Sequence, residues 1–138
     1  MLKSKKLLGK EIIHTIPIVE MLGVKQMTDI IIVAPATGNT IAKLANDIAD
    51  TPATLAVKSH LRNNLPVVIA PSTNNGLGGG AENIGRLLNR KNYYFVPFKQ
   101  DNPITKPRSI VFDSYYILRT LEMALDGEQI QPILIGGI

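Results

Sequence analysis

Apolar positions in this chain follow two rhythms. From Ile30 to Ala34 five apolar residues run together, three isoleucines and one valine among them. A β-branched run of this kind predicts a strand buried on both faces. Pro35 should stop it, because proline has no N–H to continue a ladder. Beyond the small polar turn Ala36 to Thr40 the spacing changes. Ile41, Leu44, Ala45 and Ile48 recur at i, i+3, i+4 and i+7, the stripe of an amphipathic helix.

The same alternation runs along the rest of the sequence. Met1 to Gly9 reads as the end of a helix stopped by Gly9, and Glu11 to Ile18 as a strand in which Pro17 marks either an edge position or the strand's end. Met21 to Met27 is a connection. Thr51 and Pro52 form a cap and first turn for a helix running to about Arg62, with Leu55, Ala56 and Leu61 inward. Pro66 to Ala70 is a short buried strand, followed by a Pro/Ser/Asn/Gly loop over 71–80. A helix from about Ala81 to Arg90 turns Ile84, Leu87 and Leu88 to one side. Tyr93 to Phe98 is a strand, and Gln100 to Pro107 a polar loop. The last helix is predicted from about Ser109 to Asp126, with Val111, Tyr115, Leu118 and Leu125 inward and Gly127 as its stop. The apolar tail after Glu128 should pack onto something, another copy of the chain being one choice.

Strands alternating with helices through short connections predict a parallel sheet with helices on both faces. No repeat or linker divides the 138 residues, so they are read as one domain with a single core. Such sheets place ligands beyond the carboxyl ends of their strands. The loops 35–40, 71–80 and 99–108 should therefore meet at one edge.

Composition narrows the partners. Fifteen basic and eleven acidic residues give a net charge of +4, partly from Lys3, Lys5, Lys6 and Lys10. The aromatics lie in apolar runs and not among these cations, so a solvated basic N-terminus is expected rather than a nucleic-acid arm. The absence of cysteine removes disulfides, thiolate metal sites and thiol nucleophiles. His14 and His60 are too few and too far apart for zinc. Apolar runs are much shorter than the ~20 residues of a membrane span, and no signal peptide is legible. A cytoplasmic, soluble protein without a membrane or nucleic-acid partner is expected.

Candidate chemistry is sparse. The turn Ala36 to Thr40 has two readings: a plain connection in which Asn39 or Thr40 caps the helix and Gly38 takes a positive φ, or a cradle for an anion or cofactor. Gly76 to Gly80 lacks both the Walker ending and the dinucleotide spacing, and reads as a turn into a helix. Asn74 follows a buried strand closely enough for its amide to meet a ring edge or a carbonyl. Lys99, Asp101 and Lys106 lie near the loops. His60, late in a helix, reads as a surface residue, and His14 as packing within a strand. No triad, carboxylate pair or metal cluster is present in the sequence pattern, and no catalytic residue is assigned.

Ala34-Pro35-Ala36-Thr37-Gly38-Asn39-Thr40, followed by Ile41-Ala42-Lys43-Leu44-Ala45-Asn46, resembles the Pro-Ala-Ser-Ala-Asn-Thr signature of the homo-oligomeric flavin-containing cysteine decarboxylase family. The likeness continues through residues 50–75, 87–103 and 106–107 and fades near Glu128. The resemblance implies a three-layer, flavodoxin-like (Rossmann-like) α/β fold with FMN held at the strand ends, and a homo-oligomer. By the family pattern Pro35, Ala36, Thr37, Asn39 and Thr40 line the flavin site. Asn74 takes the place of the asparagine in a Pro-x-Met-Asn motif, beside the flavin ring.

Three departures refine what the resemblance implies. The decarboxylases carry a histidine shortly before the signature strand, and the matching region, roughly Glu20 to Val24, has none. Thr73 replaces the motif methionine, and no Met-Trp pair follows. Both argue against cysteine decarboxylation. Family members also begin with a strand and a Gly/Ser-rich turn for the FMN phosphate, and this sequence starts after them. It is thus expected to be N-terminally truncated relative to the family, 1–138 forming one domain or the C-terminal two-thirds of one. The branch it most resembles implies one subunit of an oxidoreductase. That component takes part in oxidising a small dihydrodipicolinate-type precursor during sporulation, beside a partner resembling a nicotinamide-dependent dehydrogenase. The alternative is a non-catalytic, flavin-free partner of that dehydrogenase.

Overall fold

The computed structural model describes residues 4–8, 11–17 and 29–136, with side chains from residue 30 onward. The expected stop at Gly9, the connection Met21 to Met27 and the histidine-less region Glu20 to Val24 lie outside the described residues. So does the side chain of His14.

Two layers of apolar side chains on opposite faces of β3 (Asp29–Ala36) and β4 (Val67–Thr73) set the architecture. Successive strand residues point to opposite faces. Ile31, Val33, Val67 and Ile69 therefore belong to one cluster, with Ile41, Leu44, Val57, Ile84 and Leu87. Ile30, Ile32, Val68 and Ala70 belong to the other, with Leu121 and Ala124. Three helices cover the first face: α1 (Gly38–Ala45), α2 (Pro52–Arg62) and α3 (Ala81–Leu88). The fourth, α4 (Ile117–Leu125), covers the second. The result is the expected three-layer α/β arrangement. Each fully buried isoleucine, leucine or valine among them contributes about 1.5–3 kcal/mol relative to exposure.

The sheet is mixed. β3 and β4 run parallel, with Ile31 opposite Val67 and Val33 opposite Ile69, and the register shifts before Ala36 meets Pro71. β5 (Tyr93–Phe95) runs parallel beside the first half of β4. The end of β4 has a different neighbour: Ser72 and Thr73 pair antiparallel with Val111 and Ile110 of β7 (Lys106–Phe112). β7 in turn forms a hairpin with β6 (Phe98–Asn102). On the far side, β1 (Ser4–Leu8) and β2 (Glu11–Pro17) add two antiparallel strands next to β3.

Several sequence expectations are corrected here. The helix expected to end at Gly9 is strand β1, paired from Ser4–Thr15 to Leu8–Glu11; two adjacent leucines were too short a run to fix a period. The loop expected over Gln100 to Pro107 and the first turns of the helix expected from Ser109 are the β6–β7 hairpin. The β-branched pair Ile110-Val111 fits the pleat, and Asp113 then starts a 3-10 turn, its carboxylate accepting from the Tyr115 N–H at 3.0 Å. Tyr115 and Leu118 accordingly point outward, and Leu121 and Ala124 point in. In α2 the inward residues are Ala53, Thr54 and Val57, while Leu55 faces solvent. The strand expected from Tyr93 to Phe98 breaks at Val96-Pro97.

Local signals explain the helices that were legible. Thr51 and Thr54 exchange hydrogen bonds in a capping box, with Pro52 in the first turn. The tail folds back on its own chain. Phe98 and Ile133–Ile135 exchange backbone hydrogen bonds, and Gln129 brackets the outer edge of β5. Its side-chain oxygen accepts from Phe95 N–H at 2.8 Å and its amide donates to Phe95 C=O at 2.7 Å. No helix among the described residues is long and apolar enough to cross a membrane.

Candidate functional site

Where β5 leaves β4 and β7 takes its place, the carboxyl ends of β3 and β4 open into a cleft of about 480 Å³. Its first wall is the turn into α1: Thr37, Gly38 and Asn39. Its floor and second wall are Ser72 to Asn75 at the end of β4. The hairpin closes the third side with Asp101, Ser109, Ile110 and Val111. All three loop segments expected at this edge contribute.

The turn into α1 is organised by Thr37. Its backbone is extended, its hydroxyl accepts from Thr40 N–H at 3.4 Å, and its carbonyl accepts from Ile41 N–H at 2.9 Å. Thr37 is thus the cap expected of Asn39 or Thr40. Gly38 is the first helical residue and has no positive φ. What requires glycine there is proximity: a Cβ would lie 2.7 Å from Thr73 Oγ1. The Thr73 hydroxyl donates to Asn75 Oδ1 at 2.8 Å. Asn75 C=O accepts from the N–H groups of Gly78 and Gly80, so the glycine-rich segment is a turn wound on Asn75 that leads into α3.

The chemistry of the lining is one of neutral donors. Gly38 and Asn39 N–H, in the first turn of α1, have no intrahelical acceptor and carry the positive end of the helix dipole. Hydroxyls and amides supply the rest. Among the described residues Asp101 is the only charged side chain lining the cleft, and it faces Lys106 at 3.7 Å on the same hairpin. No lysine or arginine lines it among the described residues. Away from the cleft, burial pushes the Tyr93 hydroxyl up to about 12, with Arg90 opposing and Asp47 adding to the rise. Among the described residues no group of His, Asp and Glu could hold a metal.

The cradle at Gly38, the helix amides and the uncharged polar walls fit the planar polar ring of a flavin. They do not supply the cationic side chains that commonly pair with a phosphate dianion. Of the residues singled out in the sequence, Thr37, Asn39 and Asn74 line the cleft. Pro35, Ala36 and Thr40 do not; Ala36 and Thr40 are buried, one within the sheet opposite Pro71 and one within α1. Lys99 and His60 are outside the lining as well, and His60 is half-buried in α2. Sequence reasoning missed Gly38 as a contact point, Thr73 and Asn75 as its support, and Ser109 to Val111 altogether. The last three were hidden by their assignment to a helix.

Residues 2–107 match the family described as Flavoprotein. Over 133 residues, 96% of the chain, the sequence is 44% identical to the B-type subunit of dipicolinate synthase from Bacillus subtilis (strain 168). A crystal structure of the B-type subunit of dipicolinate synthase from Bacillus halodurans C superposes with a TM-score of 0.75 at 47% identity, covering 78% of this chain. The chain spans 66% of the length of the first relative and 55% of the second.

Proposed function

This chain belongs to the flavoprotein family, and on that premise we propose that it is an FMN-binding subunit of a dipicolinate synthase-type oxidoreductase. It takes part in oxidising a dihydrodipicolinate-type precursor to dipicolinate during sporulation. Thr37, Asn39 and Asn74 contact the flavin, with Pro35, Ala36 and Thr40 shaping the turn behind them. A bound flavin supplies two-electron acceptor chemistry. The protein's own groups hold and orient the ring, and the hairpin wall shields it from water. A dehydrogenase resembling the A-type subunit of dipicolinate synthase is the partner, and the chain works as a homo-oligomer.

The observation that carries this reading is the cleft at the β3 and β4 ends, where the Gly38 approach leaves room and α1 presents its first amides. Its test is binding. Adding FMN to the purified protein should quench flavin fluorescence and raise the melting temperature. Unquenched fluorescence with an unmoved melting temperature would sink the flavin assignment.

A second reading has one observation in its favour, the absence of cationic side chains among the described residues that line the cleft. In it the chain is a flavin-free partner that stabilises the dehydrogenase. Co-purification with that dehydrogenase in a colourless complex would select it.

A further inference from the structure

We propose that Ser109 is a ligand-contacting residue of the cleft, giving its hydroxyl to an uncharged acceptor on the edge of the planar heterocycle bound there. The inference rests on the flavin reading above and adds a residue to it. Ser109 lies on β7, one residue before the Thr73–Ile110 pair, and lines the cleft while only 6% exposed. Its side chain makes no hydrogen bond with any described residue. The Ser109 hydroxyl is not sealed from solvent without a partner, so it keeps access to the cleft and is available to what enters there.

The surrounding groups define what that is. Thr40 and Ile41 N–H are taken by Thr37, whereas Gly38 and Asn39 N–H have no acceptor within the helix. Asn75 Oδ1 accepts from the Thr73 hydroxyl. Ser109 thus joins the donors that arrive from the first turn of α1. Against them stands Asp101, the sole charged lining residue among those described. A dianion would meet a carboxylate there and no lysine or arginine, so a neutral edge of carbonyl oxygens and ring nitrogens suits the cleft and a phosphate does not.

The experiment is a fluorescence-quench titration of the full chain with FMN and, separately, with riboflavin, which has the ring and no phosphate. Ser109→Ala should weaken both to the same extent, by about three- to tenfold, the equivalent of one neutral hydrogen bond. Ser109→Thr, which keeps the hydroxyl, should stay within about twofold of wild type on the same scale. Melting curves and far-UV spectra of the flavin-free variants establish that each is folded. Unchanged affinity of Ser109→Ala for both ligands overturns the inference. A loss confined to FMN also overturns it, by placing the phosphate at Ser109. Wild-type protein that binds neither compound overturns the flavin reading itself, and this inference with it.

Discussion

Gly38 shows how a single hydrogen in place of a side chain sets the site. The turn after β3 brings α1 so close to the end of β4 that a methyl group would lie 2.7 Å from Thr73 Oγ1 and 3.4 Å from Asn75 Oδ1. Gly38→Ala should destabilise the fold by about 1–3 kcal/mol, the usual cost of overpacking. Removing the obstructing hydroxyl should relieve most of that. Urea unfolding of the Gly38→Ala, Thr73→Ala and double variants gives the coupling, and additive losses would disprove the clash. Sequence alone pointed to Gly38 for another reason, a positive φ that the helix does not adopt. Thr37, Asn39 and Asn74 were legible because they closely follow β-branched runs, and polar residues at strand ends face the ligand side of such sheets. Close approach between segments 35 residues apart in sequence, as at Gly38 and Thr73, leaves no local trace.

At the scale of elements, α1 is held at both ends. Thr37 caps its start, and Arg90, just beyond α3, reaches its finish. The Arg90 guanidinium donates to Leu44 C=O at 3.0 Å and Ala45 C=O at 2.6 Å, and meets Asp47 at 3.2 Å. Carbonyls at a helix C-terminus lack intrahelical donors, and a cation there also complements the dipole. Arg90→Ala should therefore cost about 1.5–3 kcal/mol, the range of hydrogen bonds from a charged group. Arg90→Lys should recover little of it, because one ammonium does not reproduce a planar fork on two carbonyls. Chemical denaturation measures both, and a full recovery by lysine would show that charge alone matters. β3, α1, α2, β4 and α3 were readable because a β-branched run or a helical period marks each. Pro35, however, does not stop the first strand, which runs on to Ala36, and Pro71 likewise lies inside β4. The β6–β7 hairpin was not readable. The positions Val111, Tyr115 and Leu118 mimic a helical spacing, while the pairing that makes 106–112 a strand lies with β4 and β6. Only tertiary structure decides that conflict.

For the molecule as a whole, the decisive feature is that β4 has two successive neighbours on one side. β5 accompanies its first half in parallel and β7 its end in antiparallel. That change of partner opens the sheet where α1 begins, and the cleft is the space it leaves. The three-layer order could be read from alternating strands and helices. The exchange could not, since it depends on where β5 stops.

Stopping early leaves β5 with an outer rim that another chain could use. A strand offering an unpaired N–H and C=O is a template for intermolecular β-pairing. The amide of Gln129 occupies both groups of Phe95 in the manner of a short strand, and so acts as a guard against self-templating. Gln129→Ala should lower stability by about 1–3 kcal/mol, as expected for stranded backbone groups, and should make the protein prone to ordered aggregation on mild heating. Light scattering and thioflavin T fluorescence report the second effect. Gln129→Glu, which keeps the acceptor and loses the donor, should fall between. A Gln129→Ala protein that unfolds more easily yet stays dispersed would mean that the bracket serves the fold alone and has no protective part in keeping copies of the chain apart.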